Sequence, residues 1–144
     1  MKNRLKKIML GLVAALFLVG GANIVSYAAS AGYSGQVTKY SDFESSTMTK
    51  GTKSDNATNN ATKKPAGTYE TWLEWSKFGQ NVTYKTSYNS TGKYYMTYET
   101  VLGGGGTCAE IIYVEKYPVR LNISTALTNF NSGTIKGTWS PDSF

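Results

Sequence analysis

The chain has 144 residues, with 15 basic and nine acidic side chains, a formal net charge of +6, one cysteine and no histidine. Four of the basic residues precede residue 8, so residues 29–144 carry only +2, and from Pro65 onward six basic residues meet six acidic ones. That balance excludes the clustered basic face of a nucleic-acid binder, and the missing histidine removes the Ser-His-Asp triad, His-containing zinc sites and His-based acid–base catalysis together.

Lys2, Arg4, Lys6 and Lys7 form a basic head, and Ile8 to Ala22 is continuously apolar. Ser26-Tyr27-Ala28 is the best small-x-Ala cleavage site, with Ala29-Ser30-Ala31 a close second. Residues 1–28 therefore read as a Sec-type secretory signal peptide, because an apolar run of about 15 residues is short for a bilayer that needs roughly 20. The Gly20-Gly21 pair suggests the double-glycine leader of exported peptides, but such leaders are polar and amphipathic. No lipobox cysteine follows the apolar run, and no hydrophobic tail closes the sequence. The expected product is secreted and extracellular, held on cells by noncovalent contacts at most, and a short Lys/Arg leader fits a Gram-positive bacterial source.

Residues 29–66 read as a Ser/Thr/Asn-rich flexible segment. Tyr33 to Phe43 offers one weak strand, while Ser45 to Lys64 has almost nothing apolar beyond Met48 and two alanines. Such a stretch cannot bury enough surface to offset its ordering entropy, which predicts a flexible linker. The Asn-Ala-Thr triplets at Asn56 and Asn60 match the N-glycosylation pattern but carry no weight behind a bacterial leader.

Residues 67–144 are dense in aromatic and β-forming side chains, with turn residues at short intervals. Thr68 to Phe78 places Tyr69, Thr71, Leu73 and Trp75 opposite Glu70, Trp72 and Glu74; a helix capped by Thr68 and closed by Gly79 is the alternative, and the surrounding hairpin density favours a strand. Gln80–Ser90 and Lys93–Leu102 alternate on either side of Asn89-Ser90-Thr91-Gly92, predicting a hairpin with Gly92 at positive φ. Odd positions from Ile111 to Ile123 keep one parity through Pro118, which predicts strands over 109–117 and 119–125 with a bend between them. A turn at 129–133 and a short strand at 134–139 complete the chain. The predicted fold is all-β: a small antiparallel β-sandwich or open barrel of five to seven strands, preceded by the signal peptide and the linker.

The glycine run Gly103 to Gly106, followed by Thr107 and Cys108, lacks the lysine and the following helix of a phosphate loop. It reads as a flexible connection between strands. Cys108 cannot form an internal disulfide and is expected to be buried, with a free or intermolecularly paired thiol as the alternatives. Glu70, Glu74, Glu99, Glu110 and Glu115 are the carboxylates a glycosidase would draw on, but no spacing specifies a pair at the required separation, and they read as ordinary surface residues. No Asp-rich calcium loop appears. No catalytic residue, metal site or cofactor is therefore expected, and the protein reads as non-enzymatic.

The aromatics allow a binding role. Tyr94, Tyr95 and Tyr98 fall on both faces of one strand, so Tyr95 is expected to be partly exposed, with Trp72 or Trp75 on a neighbouring strand. Trp72, Trp75 and Tyr95 could stack on glycan rings or sit at a membrane surface; core and cross-strand packing is the more frequent use of such residues.

At the C-terminus, Val119-Arg120-Leu121, Thr128-Asn129-Phe130 and Ser132 to Phe144 resemble a family of small secreted β-rich proteins of unknown function from Gram-positive bacteria. The match is carried by Gly137, Trp139, Asp142 and Phe144, within the last quarter of the chain. Members of that family tend to be encoded near bacteriocin-type exporters, and no catalytic residues are established for them. The resemblance implies a bacteriocin-like or envelope-stress role. The functional expectation is a secreted non-enzymatic protein that acts on, or associates with, the Gram-positive cell envelope or membrane surface. The competing expectation is a glycan- or surface-binding, adhesin-like accessory without killing activity, and a small glycoside-acting enzyme is the third. Oligomerisation through a β edge would favour pore formation, an exposed aromatic stripe would favour glycan binding, and facing carboxylates would favour the enzyme.

Overall fold

Tyr69, Thr71 and Leu73 are buried while Glu70 and Glu74 are not, and this alternation forms β4 (Tyr69–Trp75) as the strand its period requires. The same rule forms β8 (Pro118–Thr125), with Val119, Leu121 and Ile123 inward, and β9 (Gly133–Ser140), with Ile135 and Trp139 inward. A computed structural model describes residues 29–101 and 106–143. The expected signal peptide, residues 1–28, lies outside the described residues, as do positions 102–105 of the glycine-rich connection and Phe144.

The other elements are β1 (Ala31–Val37), β2 (Phe43–Thr49), β3 (Asn56–Lys63), β5 (Gln80–Asn81), β6 (Thr86–Tyr88), β7 (Gly92–Thr97) and one helix, α1 (Cys108–Glu115). They build two antiparallel sheets, β1-β9-β3-β7 and β2-β8-β4-β5, with β6 also paired to β4. The inward faces enclose one core that includes Val37, Tyr69, Leu73, Met96, Leu121 and Trp139. The all-β sandwich is therefore as expected.

Three expectations are corrected. Residues 45–64 are not a linker: they complete β2 and form β3, which lies between β9 and β7. The strand has little apolar surface of its own, but two neighbours satisfy its backbone, and its buried side chains are two alanines, Ala57 and Ala61, with Thr58 and Asn59. Its buried Asn59 accepts from the Tyr33 hydroxyl at 2.9 Å and donates to Thr71 Oγ1 at 3.2 Å, so its amide is matched inside the core. Because residues 29–66 contribute three strands, the count among the described residues is nine rather than five to seven.

The third correction concerns 109–117, which is helical rather than extended. Thr107 is the N-cap and accepts from the Glu110 amide, and Lys116 ends the helix in the left-handed region at φ 55°. Thr107-Cys108-Ala109-Glu110 has the form of a capping box, a signal that the even-odd parity concealed. The extended run begins only at Pro118.

The hairpin of 80–102 exists but is divided. Tyr84 donates to the Thr97 carbonyl and Glu99 to the Val82 carbonyl, both at 2.9 Å, yet β6 turns to β4 while β7 turns to β3. The hairpin thus joins the two sheets at one side of the sandwich. Gly92 takes the positive φ expected of it, at 146°.

Candidate binding groove

At one end of β4 the chain turns sharply. Gly79 adopts φ 63°, and both its amide and that of Phe78 donate to the Trp75 carbonyl. The turn holds Phe78 edge-on to the Trp75 ring, with centroids 4.6 Å apart at 84°. On the other side Trp75 stacks on Tyr117, at 4.4 Å and 22°. The Pro118 carbonyl fixes this arrangement by accepting from both the amide and the hydroxyl of Ser76.

Helix α1 packs beside these rings. Ala109 and Ile112 face the core, and Cys108, Ile111 and Ile112 join Trp75, Val82 and Tyr117 around a groove of about 190 Å³. Val101 and Gln80 complete it, and among the described residues no charged side chain lines it. An apolar cavity of roughly 150 Å³ takes one benzene ring, so this groove has the size of one six-membered ring or a short alkyl segment. Phe78 (61% exposed), Ile111 (42%) and Val114 (58%) extend its apolar surface to solvent. Cys108 is half-buried, and burial together with nearby Glu99 pushes its thiol pKa up, which keeps the sulfur protonated and weakly nucleophilic.

The three aromatics singled out in the sequence do not converge. Trp75 is in the groove. Trp72 lies on the opposite, outer face of β4, is only 3% exposed, and is covered by the Lys85 ammonium 4.1 Å from its ring. Its indole N–H donates to Glu74 at 3.3 Å, so Trp72 is not a free stacking surface. Tyr95 is 52% exposed on β7, in the other sheet. The groove residues that sequence reasoning missed, Cys108, Ile111, Ile112 and Tyr117, were hidden by reading 109–117 as a strand.

The carboxylates around Trp72 are engaged by cations: Glu70 by Lys85 at 3.7 Å, and Glu44 and Glu74 by Arg120 at 2.8 and 3.1 Å. Among the described residues no group of three or more Cys, Asp or Glu side chains is placed to hold a metal ion, and no helix is long and apolar enough to cross a membrane. No family model matches the chain, and neither a curated protein nor a solved structure is similar to it.

Proposed function

We propose that this chain is a secreted, non-enzymatic protein that associates with the Gram-positive cell envelope by taking an apolar or ring-shaped group of a surface component into the Trp75–Tyr117 groove. The observation that carries this reading is the groove itself: apolar, open, lined by no charged side chain among the described residues, and rimmed by the exposed Phe78 and Ile111. Such a lining offers shape and dispersion to a ligand and nothing to drive hydrolysis.

The test is retention of purified residues 29–144 on washed Gram-positive cells. Trp75→Ala and Ile111→Asp are expected to lower retention about tenfold, as loss of a central aromatic or apolar anchor does. Equal retention of wild type and both variants would remove the groove from the account. Colony counts on the same cells separate association from bacteriocin-like killing. Tyr95 supports a second reading, because its half-exposed ring on β7 is available for stacking on a glycan; loss of retention in Tyr95→Ala with Trp75→Ala unaffected would favour it.

A further inference from the structure

Lys50 follows β2 and Asp142 follows β9, and the two side chains meet with no exposed surface on either. Lys50 Nζ lies 3.0 Å from Asp142 Oδ1 and also donates to the Pro141 carbonyl at 2.9 Å. The Tyr98 ring covers it, 4.5 Å from Nζ, while the Tyr98 hydroxyl donates to the same Pro141 carbonyl at 2.7 Å. The Gly51 amide donates to Asp142 Oδ2 at 2.8 Å. The amide and hydroxyl of Thr52 donate to Oδ1 at 3.0 and 2.6 Å. An amine and a carboxyl are thus sealed together within hydrogen-bonding distance, with donors already placed on both carboxyl oxygens.

We propose that Lys50 and Asp142 condense into an isopeptide bond, an intramolecular amide between Nζ and Cγ. The inference is independent of the groove. The ammonium passes one proton to Oδ1, leaving a neutral amine and a carboxylic acid. The amine lone pair attacks Cγ and the C–N bond forms. A second proton leaves Nζ and reaches Oδ1 through the Thr52 hydroxyl. The Cγ–Oδ1 bond breaks, one water departs, and Oδ2 remains as the amide oxygen on the Gly51 N–H. No oxidant or co-reactant is required.

Two effects drive the reaction. Burial weakens the hold of Lys50 on its proton, and the amide replaces two buried charges with one neutral group. Exclusion of water then protects the product from hydrolysis. Against burial, which alone would raise it, the Thr52, Gly51 and Lys50 donors hold the carboxyl of Asp142 below its usual pKa, and this opposes the first proton transfer. The product joins the β2 sheet to the β9 sheet in a chain whose single cysteine can make no internal disulfide.

Intact-mass measurement of the purified protein, after a day at neutral pH, tests this directly. The expected mass is about 18 Da below that of the sequence, the loss of one water, with a tryptic fragment that links the Lys50 and Asp142 peptides. Lys50→Arg and Asp142→Ala are each expected at full mass. A wild-type protein at full mass overturns the proposal. So does an equal loss in Lys50→Arg, which would mark cyclisation of an Asp with its own backbone. The linked fragment is read from the wild type, so the outcome does not depend on the variants folding.

Discussion

A methyl group on Gly137 would meet the Asn60 carbonyl oxygen and the Tyr33 ring. Neither can withdraw, because Asn60 is inside the β3 ladder and the Tyr33 hydroxyl is committed to Asn59. Gly137→Ala is therefore expected to cost about 1–3 kcal/mol, read as a lower urea midpoint with an unchanged slope. Gly137 and Trp139 stand out in the sequence, but the partners that make them necessary lie far away along the chain. Asp42 lies at the surface, but neighbouring atoms strip part of the water from its carboxyl and raise its pKa, helped by Glu74, Glu44 and Glu70 and opposed by Lys85. The folded protein holds this proton more tightly than the unfolded chain does, so stability present below about pH 4 is lost as pH rises toward the folded value. Asp42→Asn removes that loss. Urea midpoints of the Asn variant should gain on the wild type across this interval, by a few tenths of a kcal/mol after solvent screening, and equal pH profiles would reject the assignment.

At the scale of elements, sequence reading succeeds where a strand carries its own alternating apolar face. β4, β8 and β9 are of this kind, each legible from its own residues. β3 is not, since its order comes from ladders on both sides and its one large buried polar group is matched by Tyr33 and Thr71. α1 was obscured for a different reason: eight residues are about two turns, too short for a helical period to outweigh the parity that runs on into β8. Trp75 alone of the groove was legible, because the rest depends on how α1 lies beside it. The N-cap offers a way to perturb that placement. Thr107→Ala is expected to lower stability by about 1 kcal/mol, measured by urea denaturation, and to weaken cell retention through the displaced Cys108, Ile111 and Ile112. Serine at the same position should restore both.

For the molecule as a whole, the apparent boundary near Pro65 is a change in composition and not in structure. Residues 67–144 alone would lose β1, β2 and β3, leaving β7 and β9 without the strand between them. That fragment is expected to remain unfolded, with poorly dispersed amide resonances, whereas residues 29–144 should show the dispersion of a packed β protein. A folded 67–144 fragment would contradict the topology. Fold class was legible because aromatic and β-branched density declares it; the size of the folding unit was not, because three of its strands are polar and become ordered only through partners elsewhere in the sequence.

The pairing of β1 with β9, Ala31 opposite Trp139, also dictates timing. β9 lies between β1 and β3, so β1 cannot join the four-stranded sheet until residues 133–140 are in place. A chain with such distant pairings forms its native contacts late. Until β9 arrives, β1 has no sheet partner and β3 has only β7, so the four-stranded sheet closes in one late step rather than strand by strand.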